Sequence, residues 1–221
     1  MTLSSTDRTR LGRLRERAQT DRTTLYDVLD AGMICHLGVV IDGAPRVIPT
    51  GYGRDGDTLY LHGSTGARSL RAGTEICVTV THLDGIVLAR SAFHHSVNYR
   101  SAVIYGLPRT VTGADEKLTG LRAITERLAP GQWDVVRRPD PKELAATTVL
   151  ALPLAEASVK IRQGPPIDDE ADHALDLWAG VLPVRQVFGE PVPDPLLRPG
   201  FPVPEHVTFR SDNSHDRVTL S

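Results

Sequence analysis

The sequence predicts a mainly β protein with flanking helices, an α+β class, and two observations predict it. Between residues 33 and 106, short apolar runs recur at close spacing with turn residues between them, the pattern of a β-barrel or sandwich. Helical periodicity is confined to residues 8–31 and 113–129.

Leu11, Leu14, Ala18, Leu25, Val28 and Leu29 recur at mostly helical spacing, with a break near Thr20-Asp21. Asp21 and Thr23-Thr24 offer capping oxygens for a second short helix over 25–31, and Gly32 stands just past its end. From residue 33 the period changes. Residues 33–41 form a strand, Asp42-Gly43 a hairpin turn and 45–52 the answering strand. Arg54-Asp55-Gly56-Asp57 turns the chain into a third strand over 58–62. A short helix is expected at 69–72, then strands at 75–82, 85–92 and 97–106. Asp115 begins a helix carrying Leu118, Leu121, Ile124 and Leu128, which stops at Pro130-Gly131. Residues 147–154 and 157–163 read as two final strands. Beyond Gly164-Pro165-Pro166 prolines crowd the chain, so it is expected to run extended, with one helical turn within 169–178 and a disordered polar end. Three regions follow: a helical arm (1–32), a barrel with a helical insertion (33–163), and a Pro-rich extension (164–221) packing on the barrel or a partner.

Composition narrows the function classes. The 221 residues are 40% apolar and 24% charged, with a net charge of −2, so no bulk field draws the chain to nucleic acid or an anionic membrane. The start is basic but lacks an apolar core, and no run is long enough to span a bilayer. A cytoplasmic protein is expected. Cys35 and Cys77 read as buried free thiols, and no zinc-type spacing of Cys or His occurs.

The segment Leu59-Tyr60-Leu61-His62-Gly63-Ser64-Thr65-Gly66-Ala67-Arg68-Ser69-Leu70 carries the first chemical signal. A strand ends in a histidine and breaks into a loop of small residues with hydroxyls and a guanidinium. Small residues let backbone N–H groups approach an anion, and Arg68 offers a planar fork of donors for phosphate. No Gly-Lys-Ser/Thr follows, and no G-x-G-x-x-G opens a helix, so neither common nucleotide motif is present. A polar hairpin turn is the plain alternative.

The strand run, the His62 loop and Ser91-Ala92-Phe93-His94-His95-Ser96-Val97-Asn98-Tyr99-Arg100-Ser101 together resemble the pyridoxamine 5′-phosphate oxidase-like superfamily of FMN-binding split β-barrels. More narrowly they look like its nitroimidazole-resistance (Nim) branch, as does Trp178-Ala179-Gly180-Val181-Leu182-Pro183. The resemblance implies a six-stranded split barrel that forms a homodimer, with flavins at the interface. It implies that Arg46, Val47, Ile48, Pro49 and Thr50 lie beside the flavin ring. His62, Ser64, Arg68 and Ser69 would serve the ribityl chain and phosphate. Tyr99, Arg100 and Ser101 would reach the cofactor from the partner chain. It further implies an FMN-dependent oxidoreductase passing electrons from NAD(P)H to a small organic acceptor such as a nitro or quinone-like compound. Two departures argue against vitamin B6 oxidation: Ser69 follows Arg68 where a second cation is expected, and the later strand reads Arg100-Ser101-Ala102-Val103, not Arg-Gln-Val-Arg.

A bound flavin would supply the difficult chemistry, so no catalytic dyad is required. His62 is the candidate catalytic residue; it could bond the cofactor, transfer a proton or ligate iron. Relatives of this barrel include haem users, which keeps haem open with His62 or His94 as ligand. A deazaflavin and a non-catalytic flavin-binding module also stay open. If His94 and His95 sit on a strand, their side chains point to opposite faces and at most one meets a pocket. Arg90 and Arg100, in an apolar region, need a phosphate or an acidic partner. Asp168-Asp169-Glu170 reads as a charge set at a helix start. Lys160 and Arg162 share one strand face, either solvated or at a pocket rim, where Trp178 could also pack. His36 and His82 read as partly buried strand residues without a role.

Overall fold

The computed structural model describes residues 2–10, 12 and 14–212. A short 3-10 turn, Arg15–Arg17, precedes β1 (Ala18–Gln19) and α1 (Arg22–Ala31). The Asp21 carboxylate caps α1 by accepting from the Thr23 N–H at 3.1 Å, and Leu25, Val28 and Leu29 make its buried stripe. β2 (Ile34–Ile41) and β3 (Ala44–Asp55) form a hairpin. Its turn residues Asp42 and Gly43 have φ of 53° and 75°, the geometry whose twist matches that of the flanking strands. β4 (Thr58–Ser64), β5 (Ile76–Leu88) and β6 (Ser96–Gly106) follow. Next come β7 (Arg109–Thr110), α2 (Ala114–Leu128), α3 (Gln132–Val135) and α4 (Pro141–Ala146). β8 (Thr147–Pro153), β9 (Glu156–Arg162), β10 (Gly180–Pro183) and α5 (Glu205–Asp212) complete the described chain.

The strands run antiparallel in the order β1-β9-β6-β5-β2-β3-β4-β8-β7, with β10 beside β5. Alternation sets the core. Cys35, Leu37 and Val39 on β2, Val78 and Val80 on β5, Ile104 on β6, Leu150 and Leu152 on β8, and Val159 on β9 all join one cluster with α1. The sheet therefore curls around that cluster. On the opposite face of β4 and β8, Tyr60, Val149 and Ala151 pack against Ile124 of α2. This contact is so close that a Cβ at Gly53 would lie 2.3 Å from the α2 backbone at Ala123 and Ile124. Cys35 is buried and Cys77 half-buried; both are free, and burial pushes the Cys35 thiol up to about 12.

Several expectations are revised. The sheet has ten strands where the sequence offers eight, because β1, β7 and β10, only two to four residues long, leave no pattern to read. The strands expected at 75–82 and 85–92 are one strand, bulged between Leu83 and Gly85. Here β10 crosses so near that a Gly85 Cβ would sit 2.9 Å from Val181. The arm holds one α-helix, because Leu14 adopts a left-handed φ of 56° and ends regular structure there. Residues 69–72 form turns, not a helix. The helical turn expected within 169–178 is the 3-10 segment Glu170–Ala174. Leu11 and most of the polar end (213–221) lie outside the described residues. Among the described residues, no helix is long and apolar enough to cross a membrane.

Candidate functional site

β3 changes partner midway. Residues 44–51 pair with β2, whereas 52–55 pair with β4. β4 continues to Ser64 paired with β8. The two strands therefore part beyond the Tyr52–Leu61 pair, and a slit opens between the first half of β3 and the end of β4. Proline decides which backbone groups face it. Pro45 and Pro49, opposite Val40 and His36, have no N–H, so both must sit where the nitrogen turns away from β2. Alternation places Val47 on the same edge. That edge presents the carbonyls of Pro45, Val47 and Pro49, and one N–H, from Val47. Arg46, Val47 and Pro49 are exposed, and Ile48 and Thr50 half-buried.

His62 stands at the end of β4 on the face it shares with Tyr60, and is half-buried. Its Nδ1 is buried without a hydrogen-bond partner. Burial lowers its pKa, so the ring is neutral near pH 7. A buried polar atom left unpaired costs about 1–3 kcal/mol, which a polar ligand can relieve.

The loop after β4 is bonded to itself. Ser64 Oγ accepts from the Gly66 N–H at 3.1 Å, and the Ser64 carbonyl accepts from Ala67 at 2.9 Å. Buried Leu70 anchors it beneath Gly63, where a Cβ would lie 2.4 Å from the leucine. Ser69 is half-buried. With no helix here, the loop offers no helix-dipole field. Arg68 forms an ion pair with Asp42 of the hairpin turn, and both side chains are exposed. This pair clasps the slit at its outer end. Sequence reasoning read Asp42 only as a turn residue; nothing in its local pattern signals a partner 26 positions away.

The second predicted segment divides. Tyr99 and Ser101 point outward, and Ser101 Oγ donates to the Lys160 carbonyl at 3.4 Å. Arg100 points the other way and is held by Asp84 through bonds of 3.0 and 2.8 Å. β5, β2 and β3 separate this strand from β4, so one protomer does not bring Tyr99, Arg100 and Ser101 to the His62 loop.

The remaining candidates are settled by partners. Arg90 pairs with Asp168 at 2.9 Å, while Asp169 opens the 3-10 turn. His82 Nε2–H donates to the Val28 carbonyl at 2.9 Å; His36 is exposed on β2. Trp178 is exposed, with its ring against Gly180. His94 and His95 are not on a strand. His94 ends a 3-10 turn, Ala92–His94, and both histidines line one pocket together with Lys160 and Arg162. His94 Nε2 faces Asp169 at 3.3 Å. One ligand atom from each of His94, Asp169 and Asp172 lies within 4.8 Å of the others.

A curled antiparallel sheet, slit open beside a neutral histidine and a polar loop, defines a split β-barrel. The chain belongs to the pyridoxamine 5′-phosphate oxidase family, whose profile matches residues 21–161. No curated protein matches it. Among solved structures it is similar to the flavocytochrome Anf3 from Azotobacter vinelandii, with 40% identity, TM-score 0.88, and coverage of 93% of this chain and 97% of that one. It is also similar to the FAD and haem binding protein from Mycobacterium smegmatis, with 40% identity, TM-score 0.84, and coverage of 88% and 97%. A candidate 5-nitroimidazole antibiotic resistance protein from Bacteroides thetaiotaomicron shares 20% identity at TM-score 0.55, covering 65% and 86%. That last likeness shows the fold alone. The expected Nim affiliation is therefore distant, and the flavin- and haem-binding proteins are far more similar.

Proposed function

We propose that this protein binds a flavin and a haem and acts as a redox protein. The reading rests on the 40% identity, across 93% and 88% of the chain, with two proteins described as a flavocytochrome and as an FAD and haem binding protein. It favours FAD over the FMN expected from sequence, and it favours the haem alternative over a nitro- or quinone-reducing enzyme. When bound, the two groups supply one- and two-electron chemistry; the chain supplies binding, orientation and electrostatics.

The residues of the slit fit a flavin. The Val47 N–H and the neighbouring carbonyls can meet the polar edge of a ring, and His62 Nδ1 gains the partner it lacks. Arg68 can turn from Asp42 to phosphate. An exposed ion pair is worth about 0–1 kcal/mol, and a charge-assisted phosphate contact about 1.5–3, so the phosphate wins.

A homodimer belongs to the same proposal. α2 covers the β4–β8 side, whereas Ile34, Val40 and Val47 of the β2–β3 hairpin are 50%, 61% and 70% exposed. A second copy on that face would cover them and could bring Tyr99 and Ser101 to the slit.

The test is purification from a flavin- and haem-replete host, an absorbance spectrum, and mass measurement of the released flavin. A Soret band together with FAD supports the proposal; its absence from protein that also ignores added haem defeats the haem part. The open slit favours one second reading, a flavin-only oxidoreductase fed by NAD(P)H. Bound flavin that NAD(P)H bleaches in Soret-free protein would select it.

A further inference from the structure

A pocket of about 620 Å³ opens where β9 and the start of β6 meet the segment before β1. Its lining is mostly charged and polar. Arg17, Lys160 and Arg162 stand against one carboxylate, Asp169, which faces His94 at 3.3 Å. Among the described residues, no carboxylate pairs with Lys160 or Arg162. Arg17 meets only its neighbour Glu16, at 4.0 Å.

Arg162 is the most informative of these. It is 7% exposed, yet its donors reach only neutral acceptors: Asn98 Oδ1, the Gly164 carbonyl at 3.2 Å and the Pro165 carbonyl at 3.1 Å. Burial and the nearby Arg17 charge both disfavour the charged guanidinium. Buried charges are normally paired, so this cluster of cations calls for an anion from outside the protomer.

The strand register ties this pocket to the proposed flavin site. Tyr99 on β6 lies opposite Arg162 on β9, and Ser101 lies opposite Lys160. Directly opposed residues share a face, with Cβ atoms about 4.5–5.5 Å apart. The face that would bring Tyr99 and Ser101 to a partner's slit therefore brings the cations with it, one strand further out. Arg68 of the slit suits the phosphate on the ribityl chain, which FMN and FAD both carry. FAD alone continues from there into a second phosphate and an adenosine. Phe93 offers that adenosine an apolar surface in the same pocket. Its ring is 87% exposed and stands at 85° to the His94 ring, with centroids 5.2 Å apart. It is thus braced on one side and open to a base on the other.

We propose that this pocket receives the adenylate half of an FAD whose flavin sits in the partner's slit, with Arg17, Lys160 and Arg162 on the second phosphate and Phe93 against the adenine. The pocket then selects the dinucleotide flavin over FMN. The assignment rests on the flavin and homodimer parts of the proposed function.

The experiment titrates the full chain with FAD and with FMN by calorimetry, with far-UV circular dichroism to check folding. Wild type should bind FAD at least about tenfold more tightly than FMN. Lys160→Ala and Arg17→Ala should each weaken FAD about tenfold and leave FMN unchanged, whereas Lys160→Arg should keep the preference for FAD. Phe93→Ala should weaken FAD at least about fivefold and spare FMN. Folded alanine variants that keep the wild-type ratio of FAD to FMN affinity overturn the assignment, and the flavin reading stands. Variants that weaken FAD and FMN alike put the cations on the first phosphate and overturn it too. If the variants raise the KM for NADPH and keep that ratio, the pocket takes the donor's nucleotide and the assignment is again overturned. Wild type that binds neither flavin removes the flavin reading itself.

Discussion

Arg68 and Asp42 make opposite predictions for the same ligand. Their ion pair clasps the slit, with side chains 55% and 72% exposed. Arg68→Ala removes a charge-assisted contact of about 1.5–3 kcal/mol, which weakens FAD or FMN roughly 10- to 160-fold. Riboflavin, lacking phosphate, should bind the variant as it binds wild type. Asp42→Asn removes the competitor for the guanidinium. Because an exposed pair is worth about 0–1 kcal/mol, phosphorylated flavin should tighten by up to about fivefold. Quenching of flavin fluorescence measures all four combinations, and the effects should shrink with added salt because both groups are solvated. Equal losses for FAD and riboflavin in Arg68→Ala would show that Arg68 does not touch phosphate. Weaker FAD binding in Asp42→Asn would show that the pair holds the slit in shape and does not compete with the ligand.

Gly53→Ala would place a methyl 2.3 Å from the α2 backbone, so α2 must lift. Overpacking of this kind costs about 1–3 kcal/mol, and the thermal midpoint should fall roughly 2–12 °C; an unchanged midpoint would refute the close contact. His62 has its pKa lowered by burial, so the unfolded chain binds its proton more readily and stability declines as pH falls below about 6.5. Urea midpoints at pH 7 and pH 5 should differ less in His62→Gln than in wild type, and equal differences would dismiss His62 as the source. Val47→Asp, on the exposed hairpin face, should shift the particle from twice 24.1 kDa to 24.1 kDa by light scattering. Wild type that is already monomeric would end the dimer proposal.

What could be read from sequence was local. Asp42-Gly43 announced its hairpin because both residues tolerate positive φ, and Asp21 announced the cap of α1. Cys35 was read as a buried thiol, and it lies in the core beside Leu37, Val78 and Val80. Long-range partners were hidden. Residues 75–82 and 85–92 read as two strands because the sequence does not show the bulge at Leu83–Gly85 or β10 pairing there. Arg100 looked available for a cofactor because Asp84 meets it only across the β5–β6 pairing. His94 and His95 looked like strand neighbours until the Ser91-capped turn set them on one pocket. Lys160 and Arg162 were placed on one face correctly, but Arg17, far away in sequence, was not connected to them.

Pro45 and Pro49 also bear on how the open margin of β3 meets other chains. A bare strand margin ordinarily recruits other chains, which zip onto it and seed fibrils. Along residues 45–49 an incoming strand meets a lone donor where an uninterrupted margin would offer three. The same two rings that leave this margin short of donors therefore keep sibling molecules from zipping onto it.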